Sequence, residues 1–384
     1  MEAKQASIRK TRNGRERRAI YADLKELRRE YRERERRCVS DLVAASRVVL
    51  ATLHGAGGFQ LRGHRFDVVV IDEASQALEA QCWVPLLAAD KAICAGDHLQ
   101  LPPTIKSLNS KSRATRSPAA GAAAAGSEGL IRGASLETTL FDRLLELHGP
   151  SIKRMLTTQY RMHEKIMRFP SDALYEGKLV AADGVKARLL RDLPYEVRDT
   201  DDTREPLVFI DTQGGDFPER NEDEQDAAAA GAKKPTRSSL FGDSKSNEME
   251  AALVRQHVRS LVDAGVRPED IAVVTPYNAQ LAILAPLKEA FPGIELGSVD
   301  GFQGREKEAV IVSLVRSNPD GEVGFLGEKR RLNVAMTRPK RSLTVIGDSE
   351  TVKKGSKFLK DWMEFLEENA DLRYPDLASL TQEA

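Results

Sequence analysis

No run of apolar residues in this chain approaches the ~18 needed to cross a bilayer, although 41% of its residues are hydrophobic, and Met1 leads into charged residues with no apolar segment behind it. Neither a membrane-spanning helix nor a secretory leader is expected. Cysteine is scarce. Cys38, Cys82 and Cys94 stand far apart with no Cys-x-x-Cys pair, and the six histidines contain no His-x-x-x-His. A disulfide framework and a structural zinc site are therefore not expected, and a reducing compartment, cytoplasm or nucleus, fits best. Net charge is lacking too, with 58 basic against 58 acidic residues. That balance would argue against a polyanion partner if charge were spread evenly, but it is not. Residues 1–37 carry 14 Lys/Arg against 7 Asp/Glu, whereas Glu219, Glu222, Asp223, Glu224 and Asp226 cluster around Arg220 alone. Segregated charge can steer a nucleic acid even on a neutral protein.

What is present is an α/β pattern on a chain of 384 residues, long enough for about two or three domains of ~100–200 residues. Ile20, Leu24, Leu27, Tyr31, Cys38 and Leu42 recur at offsets of 4, 3, 4, 7 and 4, which predicts a long charged helix with one apolar stripe. The spacing alone fits a solvated coiled-coil arm held by i,i+4 ion pairs as well as a nucleic-acid contact. Beyond Ser46, short β-branched runs predict strands at Val48 to Leu53, Asp67 to Ile71, Lys91 to Ala95, Leu207 to Asp211, Ile271 to Thr275, Glu308 to Leu314 and Ser342 to Gly347. Helices are expected between them, at Gln76 to Ala88, Leu136 to Leu147, His163 to Tyr175, Asn247 to Ala264 and Ala279 to Ala290. Near-continuous apolar strands alternating with helices predict parallel sheet covered on both faces. Two stretches, Lys111 to Gly133 and Glu219 to Lys245, have too few apolar side chains to offset their ordering entropy and read as mobile surface insertions.

Five blocks carry chemistry. Val68-Val69-Val70-Ile71-Asp72-Glu73 is a strand ending in adjacent carboxylates, placed where ligands meet open α/β sheets. Such a pair suits a nucleotide triphosphatase, one acid on Mg²⁺ and the other on the attacking water, but it also suits a plain strand end capped by acids at a helix N-terminus. Gly96-Asp97-His98-Leu99-Gln100-Leu101-Pro102-Pro103 follows the next strand and would put Gln100 on the same sheet edge, able to donate to a γ-phosphate oxygen. Gln159-Tyr160-Arg161-Met162-His163 sets an aromatic beside a guanidinium just before a helix; Arg suits bidentate phosphate binding and Tyr can stack on a base. Ser298 to Glu308 combines Gly301 and Gly304 with a dense polar cluster ahead of a buried strand, a binding loop on a rigid edge. Arg331 to Arg338 reads as a short helix whose last arginine could complete a phosphate clamp.

These five blocks, in this order and spacing, resemble the superfamily 1 helicases of the nonsense-mediated-decay type over about residues 16–365 outside the two insertions. The resemblance implies two RecA-like parallel-sheet domains, the first incomplete, with ATP and Mg²⁺ bound in the cleft between them and an N-terminal helical stalk. By that analogy Asp72 coordinates Mg²⁺, Glu73 activates water and Gln100 contacts the γ-phosphate. Tyr160 stacks near the adenine, Arg161 and Arg338 reach the γ-phosphate, and Glu306, its loop supported by Gly304, is the contact on the ribose side. Thr52, Thr275 and Ser298 line the single-strand path, and the helix over 16–45 becomes a stalk beside it. The division implied is a stalk over 1–46, the remainder of a first domain over 47–150, a second domain over 151–369 and a tail over 370–384. A monomer is expected, acting in nucleus or cytoplasm on single-stranded DNA or RNA, with replication or ribosome and RNA-processing partners.

Two departures from the family pattern matter. Gly-x-x-x-x-Gly-Lys-Ser/Thr occurs nowhere in the 384 residues, since Gly177-Lys178 is followed by Leu179 and lacks the upstream glycine. The backbone N–H groups and lysine that neutralise β- and γ-phosphates are then missing, and Mg-ATP affinity is expected to collapse. In the family that loop precedes the stalk, so the chain reads as the C-terminal part of a helicase. Pro339 stands where the family usually has Ala after the arginine, which ends the helix early. The expected activity is that of an ATP-dependent helicase translocating 5′ to 3′ on a single strand, with impaired ATPase in this chain. The rival reading is a catalytically silent nucleic-acid- or partner-binding remnant; a nuclease on the same fold is less favoured because the end of the chain carries no further metal-ligand cluster.

Overall fold

The computed structural model describes residues 2–105, 136–221 and 244–375. Lys111 to Gly133 lies outside them, as does Glu219 to Lys245 apart from its ends. Packing divides the chain into a smaller unit, Met1–Asp97 with Pro102–His148, and a larger one, His98–Leu101 with Gly149–Ala384.

In the smaller unit α1 (Glu2–Lys10) folds back on α2 (Gly14–Ala45), tied by Lys4 to Asp23 and Thr11 to Glu16. The Asn13 Oδ1 caps α2 by accepting from Arg15 N at 2.9 Å, and Glu30–Arg34 and Glu33–Arg37 pairs at 2.6 and 2.9 Å support it one turn apart. The helix is where the periodicity puts it, yet only Leu24 of the stripe is buried; Tyr31, Cys38 and Leu42 face solvent. Short α1 covers the early turns and no described residue covers the later ones.

The strand expected at Val48 to Leu53 does not form. An apolar run becomes a strand only when a neighbour takes its backbone hydrogen bonds, and Val48 and Leu50 lie exposed with none. Strands β1 (Phe66–Ile71) and β2 (Ala89–Cys94) pair in parallel as a two-stranded sheet. One face packs on α3 (Glu79–Leu86) and α4 (Leu140–His148) through Ile71, Ala74, Cys82 and Leu140. The other exposes Val68, Val70 and Ile93, so the expectation that every strand is covered on both faces fails here. Glu79 receives both Nε and Nη2 of Arg143, which holds its carboxyl below the usual range.

The larger unit meets that expectation. Its main sheet has six strands, β3 (Leu207–Asp211), β4 (Ile271–Thr275), β5 (Glu295–Ser298), β6 (Lys307–Ser313), β7 (Pro339–Gly347) and β8 (Asp371–Arg373), all parallel, in the order β8-β3-β7-β6-β4-β5. Alternation sends Leu207, Phe209, Ala272, Val274, Val310 and Val312 to one core, shared with α5 (Glu164–Leu174) and the helices nearer the C-terminus. Val208, Ile210, Ile271, Val273, Ala309 and Ile311 face the other core, with α6 (Glu248–Asp263). Strands β5 and β8 went unread in the sequence because Gly297 interrupts one and the other has three residues. The stretch taken as a tail therefore opens with an edge strand. Ala279 to Ala290 is two helices, α7 (Asn278–Leu284) and α8 (Leu287–Ala290), broken at Pro286.

Candidate functional site

In the smaller unit β1 delivers Asp72 and Glu73 to the carboxyl edge of the two-stranded sheet, both exposed. Glu73 has φ +51°, a left-handed conformation that costs a non-glycine residue roughly 1 kcal/mol or more. Its N–H donates to Asp72 Oδ1 at 3.0 Å and its Oε2 accepts from Gln76 Nε2 at 2.6 Å. The exit from β2 is stitched beside this turn: Ala74 N donates to Ala95 O at 2.8 Å and Asp97 N to Ser75 Oγ at 3.1 Å. Gly96 permits that approach, because a Cβ there would lie 2.9 Å from Ser75 N. Thr52 lies exposed in a turn, its Oγ1 accepting from Gly55 N at 3.0 Å.

In the larger unit five of the residues singled out in the sequence gather where β6 and β7 begin. Helix α9 (Lys329–Met336) ends two residues before Arg338, and Pro339 opens β7, so the arginine is fixed at the junction. Arg338 is 2% exposed. Its Nε donates to Val334 O at 2.9 Å, Nη1 to Arg305 O at 3.3 Å, and Nη2 to Thr337 Oγ1 and Gln100 Oε1 at 2.9 and 3.4 Å. Arg161 Nε donates to Glu306 Oε2 at 2.6 Å and Nη1 to Thr337 O at 3.1 Å. Burial opposes ionisation of Glu306, but hydrogen bonds from Arg161 and Lys340 outweigh it and hold the carboxyl below its ordinary value. Tyr160 projects into solvent at 74% exposure. Gly304 has φ +76° with no atom within 4 Å of a would-be Cβ, so the turn before Glu306 needs glycine for its backbone and not for space.

Thr275 and Ser298 end β4 and β5. Since all six strands run parallel, that is the opposite edge from Arg338. Ser298 is half-buried and its Oγ accepts from Gly301 N at 3.3 Å. Thr275 is wholly buried, with no hydrogen-bond partner for Oγ1 among the described residues, so its side chain is not a surface contact. Beside it the sheet edge holds a buried polar knot unread in the sequence. Glu250 Oε2 accepts from Ser313 Oγ and Val315 N, both at 2.8 Å, and Asn247 Nδ2 donates to Phe217 O and Val315 O at 2.8 and 3.3 Å. Burial pushes the Glu250 carboxyl up to about 8. Asn247 was legible only as a helix cap, and Glu250 as one more acid in a first turn.

Models of the AAA domain match residues 136–350 and residues 1–108. The chain belongs to the AAA domain family. Among relatives of this AAA protein, DNA polymerase alpha-associated DNA helicase A of Schizosaccharomyces pombe is 50% identical over 95% of the chain and 50% of its own length. DNA-binding protein SMUBP-2 of Mesocricetus auratus is 45% identical over 95% of the chain and 33% of its own length. The Regulator of nonsense transcripts 1 homolog of Neurospora crassa is 35% identical over 84% of the chain and 26% of its own length. The helicase resemblance carried by the five motifs is borne out by these relatives, and the AAA chain spans half or less of the length of each. Among the described residues no helix is long and apolar enough to cross a membrane.

Proposed function

We propose that this chain works in an ATP-dependent helicase that moves 5′ to 3′ along single-stranded DNA or RNA. The observation that carries the reading is the convergence of Gln100, Tyr160, Arg161, Glu306 and Arg338, drawn from four separate stretches of sequence, on the amino-terminal edge of β6 and β7. The Arg161 guanidinium and the Gln100 carboxamide suit phosphate oxygens, and an exposed ring suits a base; Arg338, the expected second phosphate contact, is buried and bonded to Val334 O, Arg305 O, Thr337 and Gln100, and would have to leave those partners to reach phosphate. A carboxylate between them suits sugar hydroxyls. The donor set therefore fits ATP, which when bound supplies the free energy of phosphoanhydride cleavage. In the smaller unit Asp72 would hold Mg²⁺, an ion that takes one or two carboxylates and otherwise water and phosphate oxygens, while Glu73 would take the proton of the attacking water.

In this reading Thr52 and Ser298 touch the strand, Thr275 shapes its path from beneath, and the charged α2 is the stalk. The division into a stalk over 1–46 and domains over 47–150 and 151–369, monomeric action, work in nucleus or cytoplasm, and replication or ribosome-linked partners belong to the same proposal. Glu73→Gln, in a protein that also carries a phosphate loop, should bind a single strand yet fail to unwind a duplex; retained unwinding would remove Glu73 from its role.

A second reading, favoured by the 14 Lys/Arg against 7 Asp/Glu over residues 1–37, makes the chain a catalytically silent nucleic-acid- or partner-binding remnant of such a helicase. Salt-dependent binding of a labelled single strand that ATP leaves unchanged would support it over the first.

A further inference from the structure

Arg161, Glu306, Lys340, Glu308 and Arg341 form a continuous ladder of alternating charge in the larger unit, and its geometry depends on an irregularity between β6 and β7. Lys307 pairs with Pro339 and Ala309 with Ser342, so two steps along β6 match three along β7. The extra residue on β7 breaks the alternation that would send Lys340 and Arg341 to opposite faces. Both reach Glu308: Lys340 Nζ lies 3.2 Å from Oε1 and Arg341 Nε 2.8 Å from Oε2. The same Lys340 Nζ lies 3.2 Å from Glu306 Oε1, while Arg161 Nε occupies Glu306 Oε2 at 2.6 Å. Two further bonds fix the base of the ladder. Arg341 Nη1 donates to Leu189 O at 2.9 Å, and Lys340 O accepts from His163 N, at the cap of α5, at 2.9 Å.

We propose that Lys340 is a positioning residue for Glu306. It keeps Oε1 in place so that Oε2 can pass from Arg161 to a sugar hydroxyl of the nucleotide when Arg161 turns to phosphate. This rests on the reading that Glu306 faces the sugar and Arg161 the phosphate. A carboxylate held by one cation alone regains its side-chain rotamers when that cation leaves, and ordering it again costs free energy. A second cation, itself pinned by Glu308 and a bulged strand, removes that cost. Arg341 matters indirectly: by occupying the other oxygen of Glu308 it keeps that acid where Lys340 needs it.

The test is calorimetric titration, in a form of the protein that also carries a phosphate loop, with ATP and with 2′,3′-dideoxy-ATP, in wild type, Lys340→Met and Lys340→Arg. Wild type should prefer ATP by about tenfold, the worth of one hydrogen bond to a charged group. Lys340→Met should lose that preference by weakening ATP alone, with dideoxy-ATP affinity unchanged, and Lys340→Arg should keep most of it. An unaltered preference in Lys340→Met overturns the proposal and leaves the sugar contact standing. Equal weakening of both nucleotides also overturns it, since that marks general damage to the edge. If wild type binds neither nucleotide, or both alike, the underlying reading of Glu306 falls and takes the proposal with it.

Discussion

Arg161 and Glu306, separated by 145 residues in sequence, meet at 2.6 Å with 33% and 41% of their side chains open to solvent. A pair so placed is worth little to folding, because water screens it. Its significance lies in what else each partner could bind. Arg338, at the same edge, is the opposite case: buried, and bonded to carbonyls and side chains of its own unit.

The contrast gives a first prediction. Arg161→Ala should change folding stability by less than about 1 kcal/mol. ATP turnover in a phosphate-loop-containing form should nevertheless drop by about 100-fold or more if the guanidinium meets the developing phosphate charge. Urea unfolding beside steady-state ATPase rates reads both.

Arg338→Ala should behave differently and cost roughly 2–4 kcal/mol, since it strands the Arg305 carbonyl and empties the space of a buried guanidinium inside the fold. A variant as stable as wild type would mean that the carbonyl finds another donor and the space closes. Activity lost in Arg338→Ala would then be uninterpretable without the matching unfolding curve.

Gly304→Ala should destabilise the larger unit by about 1–2 kcal/mol through backbone strain alone, because φ is +76° and no atom crowds the new methyl. Gly297→Ala should cost more, since its Cβ would sit 2.7 Å from the Phe302 ring. Thermal midpoints of the two variants test the order.

The pH dependence has a definite sign. Glu250 is raised to about 8 by burial from an ordinary 4.5, so the folded protein binds the extra proton between those values and stability falls as pH rises through that window. His257 is lowered to about 4, by burial first, with the Arg373 charge assisting against Asp202. The unfolded chain therefore binds its proton first, and stability falls as pH drops from 6.5 toward 4. The two slopes oppose each other where the windows overlap. Above pH 6.5 Glu250 acts alone, with a slope of up to about 1.4 kcal/mol per pH unit. Glu250→Gln should flatten the loss between pH 6.5 and 8 in chemical unfolding, and an unchanged slope would dismiss Glu250 as its source.

The amino-acid sequence by itself determined the local elements whose side chains leave little choice. Leu207–Asp211 and Ile271–Thr275 are strands over the residues their apolar runs mark, and α5 and α6 are capped by His163 and Asn247, whose side chains accept from the first turn. The family, too, was legible, because its five motifs are contiguous and each carries its own chemistry. Tertiary structure alone decided which residues meet. Val48 to Leu53 has strand composition and no partner, so it stays irregular; Thr275 lies in a motif and is buried because its strand is central. The place of Lys340 beside Glu306 depends on one unmatched residue between β6 and β7. Register is a property of two strands together, and neither strand's sequence carries it.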